Sequence, residues 1–360
     1  MKPINLHEYE ALARERMDPT GFEYYLGGSD DEVTLRENRA AFERLRLRPR
    51  VLVDVSALDL ATTALGTPIS MPALIAPTAY HRLAHPEGEV ATARAAKEAG
   101  VVMGVAALAT TPLEVVAEAG GPLWFQLYVY RDRSISERLV RRAEDAGYRA
   151  LVLTVDTPRV GNRERDVRNG FTLPTGLRMA NFVAENLAEA PEAAPGESGL
   201  ATFSVAHFDP TLTWEALEWL RSVTKLPIVV KGILTGEDAA LAVEHGAAGV
   251  IVSNHGGRQL DTAVATMDAL PEVVEAVAGG CEVYVDGGVR RGTDVLKALA
   301  LGARAVLLGR PILWALAADG QQGVGDALAL LRGEIELAMM LAGRPTLASI
   351  DRSLIMRVDH

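Results

Sequence analysis

The chain has 360 residues, 49% of them hydrophobic and 23% charged, enough for one large α/β domain or two ordinary ones. With 36 basic against 47 acidic residues, its formal net charge of −11 argues against non-specific nucleic-acid binding. The single cysteine, Cys281, excludes an internal disulfide and a multi-cysteine zinc centre. It opens an apparent strand and reads as packing rather than as a nucleophile. The first residues carry no apolar signal core and no apolar run reaches membrane-spanning length, so a cytoplasmic protein without membrane or nucleic-acid partners is expected.

Residues 5–45 read as helices, with Leu6, Tyr9, Leu12 and Ala13 at helical spacing and Val33, Leu35, Ala40 and Phe42 marking a second stretch. Between them, Tyr24-Tyr25 before Gly27-Gly28 reads more readily as core plus a helix stop than as a ligand contact. From about residue 66, apolar runs alternate with alanine-rich helical stretches. Eight candidate strands follow: Ala73–Pro77, Val101–Ala106, Leu123–Leu127, Ala150–Val155, Pro227–Val230, Gly249–Val252, Glu282–Val285 and Ala305–Leu308. Helical segments such as Glu89–Ala99, Ser136–Ala146, Glu237–His245 and Thr293–Leu301 separate them. Continuously apolar strands between helices predict a parallel sheet covered on both faces, and eight units fit a (β/α)8 TIM barrel. A doubly wound open sheet is the alternative, weakened because no GxGxxG follows an early strand.

The expected organisation is a single domain over 1–360, with a helical extension over 1–65, a barrel over 66–342 and a tail over 343–360. One insertion breaks the rhythm. Residues 171–212, with Pro191, Pro195, Gly196 and Gly199 and little periodicity, read as a lid-like loop after strand 4. Val324–Ala342 reads as an amphipathic helix closing the barrel.

Active sites of such barrels lie at the C-terminal strand ends. Here those ends carry Pro77-Thr78-Ala79, then Ala106, Gln126 with Tyr128, Thr154 with Asp156, and Lys231. The later ones carry Ser253, His255 and Arg258, then Asp286-Gly287-Gly288-Val289-Arg290, and last Gly309-Arg310. Any one of these could be a solvated loop residue, but polar groups at nearly every end point to a site. In the stretch Ser253-Asn254-His255-Gly256-Gly257-Arg258-Gln259-Leu260-Asp261, histidine is suited to take a proton. Arginine three residues on offers a planar fork for a carboxylate. A base beside a carboxylate clamp suggests chemistry on a small organic acid. The glycines and arginines after the last two strands suit a phosphate, since exposed backbone N–H groups and fixed cations converge there. Lys231 could form a Schiff base, pair with phosphate or stabilise an anionic ring; a Schiff-base aldolase is a competitor at this point.

These stretches, together with His85-Pro86-Glu87-Gly88-Glu89, Leu153-Thr154-Val155-Asp156-Thr157-Pro158 and Val230-Lys231-Gly232, resemble those of the FMN-dependent (S)-2-hydroxy-acid oxidases and dehydrogenases, which include glycolate, lactate and mandelate oxidases. The likeness runs from Glu8 to about Ala342. It implies FMN across the barrel mouth, with its phosphate at Arg290, Gly309 and Arg310. The Asp286-Gly287-Gly288-Val289 loop would be part of the cofactor site, and the flavin ring would meet Pro77, Thr78, Ala79, Gln126, Thr154, Lys231 and Ser253. Lys231 would stabilise the anionic reduced ring. Arg163 and Arg258, assisted by Tyr24, would hold the substrate carboxylate, and Tyr128 would bond the hydroxyl side. His255 would be the base, oriented and made more basic by Asp156. The implied activity is oxidation of a 2-hydroxy acid to the keto acid, with O2 reoxidising the flavin to give H2O2, in a homotetramer. The rivals are a dehydrogenase using a quinone or other carrier, a monooxygenase, and a flavin-binding scaffold without catalysis. Two departures stand out. Ala106 replaces a hydroxyl-bearing residue, and Tyr80 with Leu108 replaces the Met and Trp of glycolate oxidases, a pairing more like the mandelate oxidase branch. Leu108 would leave room for a larger substrate side chain, part of which Tyr80 could refill.

Overall fold

The computed structural model describes residues 2–189, 196 and 198–358. Pro191 and Pro195 of the expected lid lie outside the described residues. Among these residues, eight parallel strands close a barrel: β1 (Ala73–Thr78), β2 (Met103–Ala106), β3 (Leu123–Leu127), β4 (Ala150–Thr154), β5 (Ile228–Ile233), β6 (Gly249–Val252), β7 (Glu282–Val285) and β8 (Ala305–Leu308). β8 pairs with β1 through Val306–Ala73, Leu307–Leu74 and Leu308–Ile75, and this pairing removes the sheet edges that the open-sheet alternative would have left.

Strand alternation sorts the side chains into two cores. Leu74, Trp124, Val152, Val229, Ile251, Tyr284 and Leu307 point inward and fill the barrel, with the Trp124 and Tyr284 rings edge to face at 5.4 Å. Their neighbours, such as Phe125, Leu153, Val230 and Val252, face the surrounding helices. Filling the interior this way makes the barrel a packed core rather than a pore.

The covering helices include α4 (Gly88–Ala99), α5 (Leu113–Glu118), α6 (Arg133–Asp145), α7 (Glu164–Arg168), α8 (Gly199–His207), α9 (Glu215–Val223), α10 (Gly236–Glu244), α11 (Thr266–Val277), α12 (Gly292–Ala300) and α13 (Arg310–Ala342). α13 begins directly after β8 and breaks at Asp319–Gly320, where the backbone leaves helical geometry. The part after this break ends at Ala342 and contains the predicted Val324–Ala342, whereas the part before it, from Arg310, was not anticipated. Among the described residues no helix is long and apolar enough to cross a membrane.

Before the barrel come α1 (Glu8–Arg16), α2 (Pro19–Leu26) and α3 (Val33–Glu43). Asp18 caps α2 by accepting from Thr20 N at 2.9 Å and Gly21 N at 3.3 Å, with Pro19 in the first turn. The extension is not purely helical, and the tail is not free. Leu45–Leu47 pairs antiparallel with Ile355–Arg357. The hairpin Thr62–Ala64/Thr67–Ile69 adds Ala64 and Ile69 to the barrel's inner core. Short strands of three residues gave too little alternation to be read in advance. The expected irregular lid also holds more order than its composition suggested. Ala180–Phe182 is a 3-10 turn, and α8 is capped by Ser198 accepting from Ala201 N at 3.3 Å. Phe171, Met179, Phe182, Phe203 and Phe208 are buried.

Candidate active site

Extending the inward-facing register by two residues along seven of the eight strands reaches the barrel mouth. It yields Ala76, Gln126, Thr154, Lys231, Ser253, Asp286 and Gly309, so one alternation that fills the core with apolar groups ends in a polar rim. Gln126 Nε2 donates to Thr154 Oγ1 at 3.0 Å, and Lys231 Nζ donates to Ser253 Oγ at 3.0 Å and lies 3.5 Å from Asp286 Oδ2. A cleft of about 1120 Å³, including its solvent-open mouth, lies over this rim. Pro77, Thr78, Ala79, Gln126, Tyr128, Thr154, Lys231, His255, Arg258, Arg163 and Tyr24 line it, as do Asp286, Gly287, Gly288, Val289, Arg290, Gly309 and Arg310. Two expected members stand behind the lining. Asp156 is beneath His255, and the Ser253 hydroxyl is fully buried, accepting from Lys231 Nζ and from His255 N at 3.1 Å.

The structure divides the Ser253–Asp261 stretch into chemistry and scaffold. Asn254 exchanges two hydrogen bonds with Asn38 at 2.7 and 2.8 Å. Asp261 accepts from Val33 N at 3.2 Å and Thr34 N at 2.8 Å, which ties down the start of α3. Gln259 donates to Asp156 O at 2.8 Å and Arg159 O at 3.0 Å and accepts from Gly161 N at 3.1 Å. Of the stretch, His255, Gly256 and Arg258 line the cleft, and only the first and last bring side chains to it. His255, Gly256 and Gly257 all have positive φ, and a Cβ at Gly257 would stand 2.6 Å from Leu35 N, so the turn can pass only as glycine. His255 itself bears the strain of a left-handed backbone.

His255 Nδ1 lies 2.9 Å from Asp156 Oδ1, and Thr157 Oγ1 donates to the same oxygen at 2.9 Å. Burial would raise the Asp156 carboxyl, but His255, Lys231 and the hydrogen bonds outweigh it and hold the group at about 2. Burial lowers His255, and the charges of Lys231 and Arg163 lower it further against the pull of Asp156. The resting pair is thus a carboxylate accepting from the Nδ1–H of a neutral imidazole, which leaves Nε2 with the free lone pair. Burial, then Asp156, raises the Tyr128 phenol, so it stays protonated and able to donate.

Arg258 Nη1 donates to Tyr24 O at 2.6 Å and Gly27 O at 2.8 Å, and its guanidinium sits 4.9 Å from the Tyr24 ring centroid. Arg310 donates to Tyr25 O, Gly256 O and Gly27 O at 2.7, 2.9 and 2.9 Å. Both arginines therefore serve the open carbonyls at the end of α2, which positions them over the barrel. Among the described residues, neither Arg163, Arg258, Arg290 nor Arg310 forms an ion pair. Burial pushes Arg310 well below its ordinary value, with repulsion from Arg258, Arg290 and Arg163 adding to it. Such a cluster needs anions to balance it.

Three observations test whether a flavin mononucleotide fits. Asp286 Oδ1 is buried without a hydrogen-bond partner, so a polyol hydroxyl could satisfy it. Gly287 and Gly288 have φ of +90° and +86°, and a Cβ at Gly288 would stand 2.2 Å from Asn38 O. The unpaired Arg290 and Arg310 lie at the same end of the cleft, where a phosphate would be matched in charge. The donor set fits.

Some cleft residues were not anticipated. Thr157, Val160, Leu200 and Phe208 line it. Thr157 lay inside a quoted motif, but the role of Leu200 and Phe208 depends on the fold of α8. Leu108 lines the cleft as expected, whereas Tyr80 does not. With φ of 63°, the chain turns the Tyr80 ring behind Tyr24, at 5.8 Å between centroids. Tyr80 therefore does not refill the space at Leu108.

A closed α/β barrel with an anion cradle at its last two strands and a base-and-arginine pocket beside it defines a barrel enzyme built around a phosphate-bearing cofactor. The comparisons narrow this further. The profile described as FMN-dependent dehydrogenase matches residues 13–357. The L-lactate oxidase of Nostoc sp. (strain PCC 7120) is 55% identical over 98% of each chain. Glycolate oxidase 1 of Oryza sativa subsp. indica is 54% identical over 98% of this chain and 95% of its own. A crystal structure of mandelate oxidase with (S)-4-hydroxymandelic acid superposes with a TM-score of 0.93 at 49% identity, covering 97% of each chain. The chain belongs to the FMN-dependent dehydrogenase family, and FMN is its cofactor.

Proposed function

We propose that this flavoenzyme oxidises an (S)-2-hydroxy acid to the 2-keto acid, with O2 as electron acceptor and H2O2 as second product. The observation that carries the reading is the pairing of His255 with Asp156 at 2.9 Å beside the buried Arg163 and the half-buried Arg258, neither of which has an ion-pair partner among the described residues. FMN, when bound, accepts the two electrons of the oxidation. The two arginines hold the substrate carboxylate, each through charge-assisted hydrogen bonds, and Tyr24 assists. Tyr128 donates to the hydroxyl side of the substrate. His255 takes a proton at Nε2, and Asp156 stabilises the imidazolium that results. Lys231, held by Ser253, supplies positive charge to the cofactor ring, together with contacts from Pro77, Thr78, Ala79, Gln126 and Thr154. Asp286, Gly287, Gly288, Val289, Arg290, Gly309 and Arg310 form the polyol and phosphate end.

The relatives are named for lactate, glycolate and mandelate. Leu108, with Tyr80 turned away, supports room for a side chain larger than that of glycolate. The described part of residues 171–212 covers the site within a single-domain chain, supported by Leu200 and Phe208 in the cleft lining. A homotetramer is part of the reading, supported by the exposed Val51, Leu52, Leu337 and Leu341. A cytoplasmic location is the compartment it assigns. Anaerobic bleaching of the flavin by glycolate, lactate, long-chain 2-hydroxy acids and mandelate, followed by air, tests substrate and acceptor together. If none of these acids bleaches the flavin, the reading is refuted.

A further inference from the structure

A second cavity, of about 1150 Å³ including its solvent-open part, lies outside the barrel wall. Leu153 and Val230 on the outward faces of β4 and β5, with Val155 just past β4, form one side, and Trp214 and Leu217 the other. Tyr128, Thr154, Thr157 and Phe208 line both this chamber and the cleft, so the two share a wall. Phe208 is fixed in that wall. Its backbone bridges to Tyr130, Asp209 N donates to Val129 O at 3.0 Å, and its ring stacks on Tyr128 at 4.5 Å. The inner end reaches Gly232, where a Cβ would stand 2.7 Å from Asp156 Cβ, so the chamber ends beside the proposed base pair.

The lining selects the occupant. Among the described residues it contains no Lys, Arg or His. Its charged members are Asp209, paired with Arg133 at 2.7 Å, and Asp238, bonded to Thr235 at 3.1 Å. A hydroxy acid or keto acid is an anion, and nothing here would offset the cost of desolvating it. The cleft, by contrast, gathers Arg163, Arg258, Arg290, Arg310 and Lys231. Organic acids are thereby confined to the cleft, and the chamber suits a small uncharged apolar molecule. The reaction proposed above consumes one.

We propose that the chamber behind Tyr128, Thr154, Thr157 and Phe208 binds dioxygen and delivers it through the shared wall to the reduced enzyme. This rests on the oxidase reading. The two electrons and two protons taken from the hydroxy acid pass to O2 and leave as H2O2, so no further reductant is required. The chamber lies outside the cleft that cofactor and acid, or keto acid, would fill, and only the wall of Tyr128, Thr154, Thr157 and Phe208 separates the two.

The test uses the holoenzyme and two variants outside the catalytic machinery. Leu217→Trp fills the buried side of the chamber, and Thr213→Trp obstructs its exposed rim without disturbing the core. Xenon, an apolar probe of comparable size, should occupy the chamber in pressurised wild-type crystals. In stopped-flow experiments the rate constant for reduced enzyme with O2 should fall about tenfold in each folded variant. Anaerobic reduction by the acid should stay near the wild-type rate. Absence of xenon from the chamber, or an unchanged O2 rate constant in Thr213→Trp and in any folded Leu217→Trp protein, overturns the proposal. Wild-type enzyme that is reduced by no hydroxy acid, or that does not react with O2 once reduced, overturns the oxidase reading and this proposal with it.

Discussion

Asp156 accepts from the His255 imidazole at 2.9 Å while the His255 backbone is held left-handed, with φ of 58°, by a fully buried Ser253 hydroxyl on its N–H. The imidazole is thus fixed from both its ring and its main chain. His255→Gln should keep FMN and fold but slow anaerobic flavin reduction by roughly 10²–10⁴-fold, the usual worth of a positioned base. Asp156→Asn should lose less, because the base remains and only its orientation and charge support go. Near-normal reduction in His255→Gln would remove it from the mechanism.

The pH dependence follows from the same pair. Burial holds His255 below its ordinary 6.5, so the neutral base persists at neutral pH and is lost as pH falls through that lowered value. The flavin-reduction rate constant should therefore be flat above pH 6.5 and decline on the acid side. Asp156, at about 2, remains ionised across that limb. Its folded value is depressed, so its contribution to stability is present above the unfolded carboxylate range and fades only as pH drops toward 2. A rate that rises on acidification would contradict the assignment.

Arg258 has one nitrogen committed to the end of α2 and the rest of its fork available. Arg258→Lys loses the planar fork, at a cost on the order of 1.5–3 kcal/mol in binding a carboxylate. Flavin content should be retained. A methyl ester of the substrate should show little difference between wild type and variant, whereas the free acid should bind the variant less tightly; equal loss with ester and acid would argue against the clamp.

The phosphate end can be probed through Gly288. A methyl group there would meet the Asn38 carbonyl at 2.2 Å, on a backbone with φ of +86°. Gly288→Ala should cost about 1–3 kcal/mol of strain or more and lower FMN retention on gel filtration, measured by flavin absorbance per protein. Arg310→Ala should weaken FMN binding and also loosen the end of α2, whose carbonyls it serves. Full FMN occupancy in both variants would count against the cradle.

The barrel and most of its rim were legible in the chain because inward alternation is local: each strand carries its own apolar pattern and its own polar end, as in Trp124 to Gln126 and Val229 to Lys231. Motif likeness named the candidate base and clamp for the same reason, since His255 and Arg258 lie within one turn. Tertiary structure alone decided how far these residues act together. Asp156 and His255 are 99 residues apart and meet only when β4 and β6 close into the same barrel. That Asn254, Gln259 and Asp261 serve as scaffold was decided by partners from distant segments, Asn38, Gly161 and the start of α3. Tyr80 left the cleft through one left-handed residue, and Phe208 entered it through a bridge to Tyr130. Neither event has a sequence period, because each depends on where a loop lands rather than on how a strand or helix repeats.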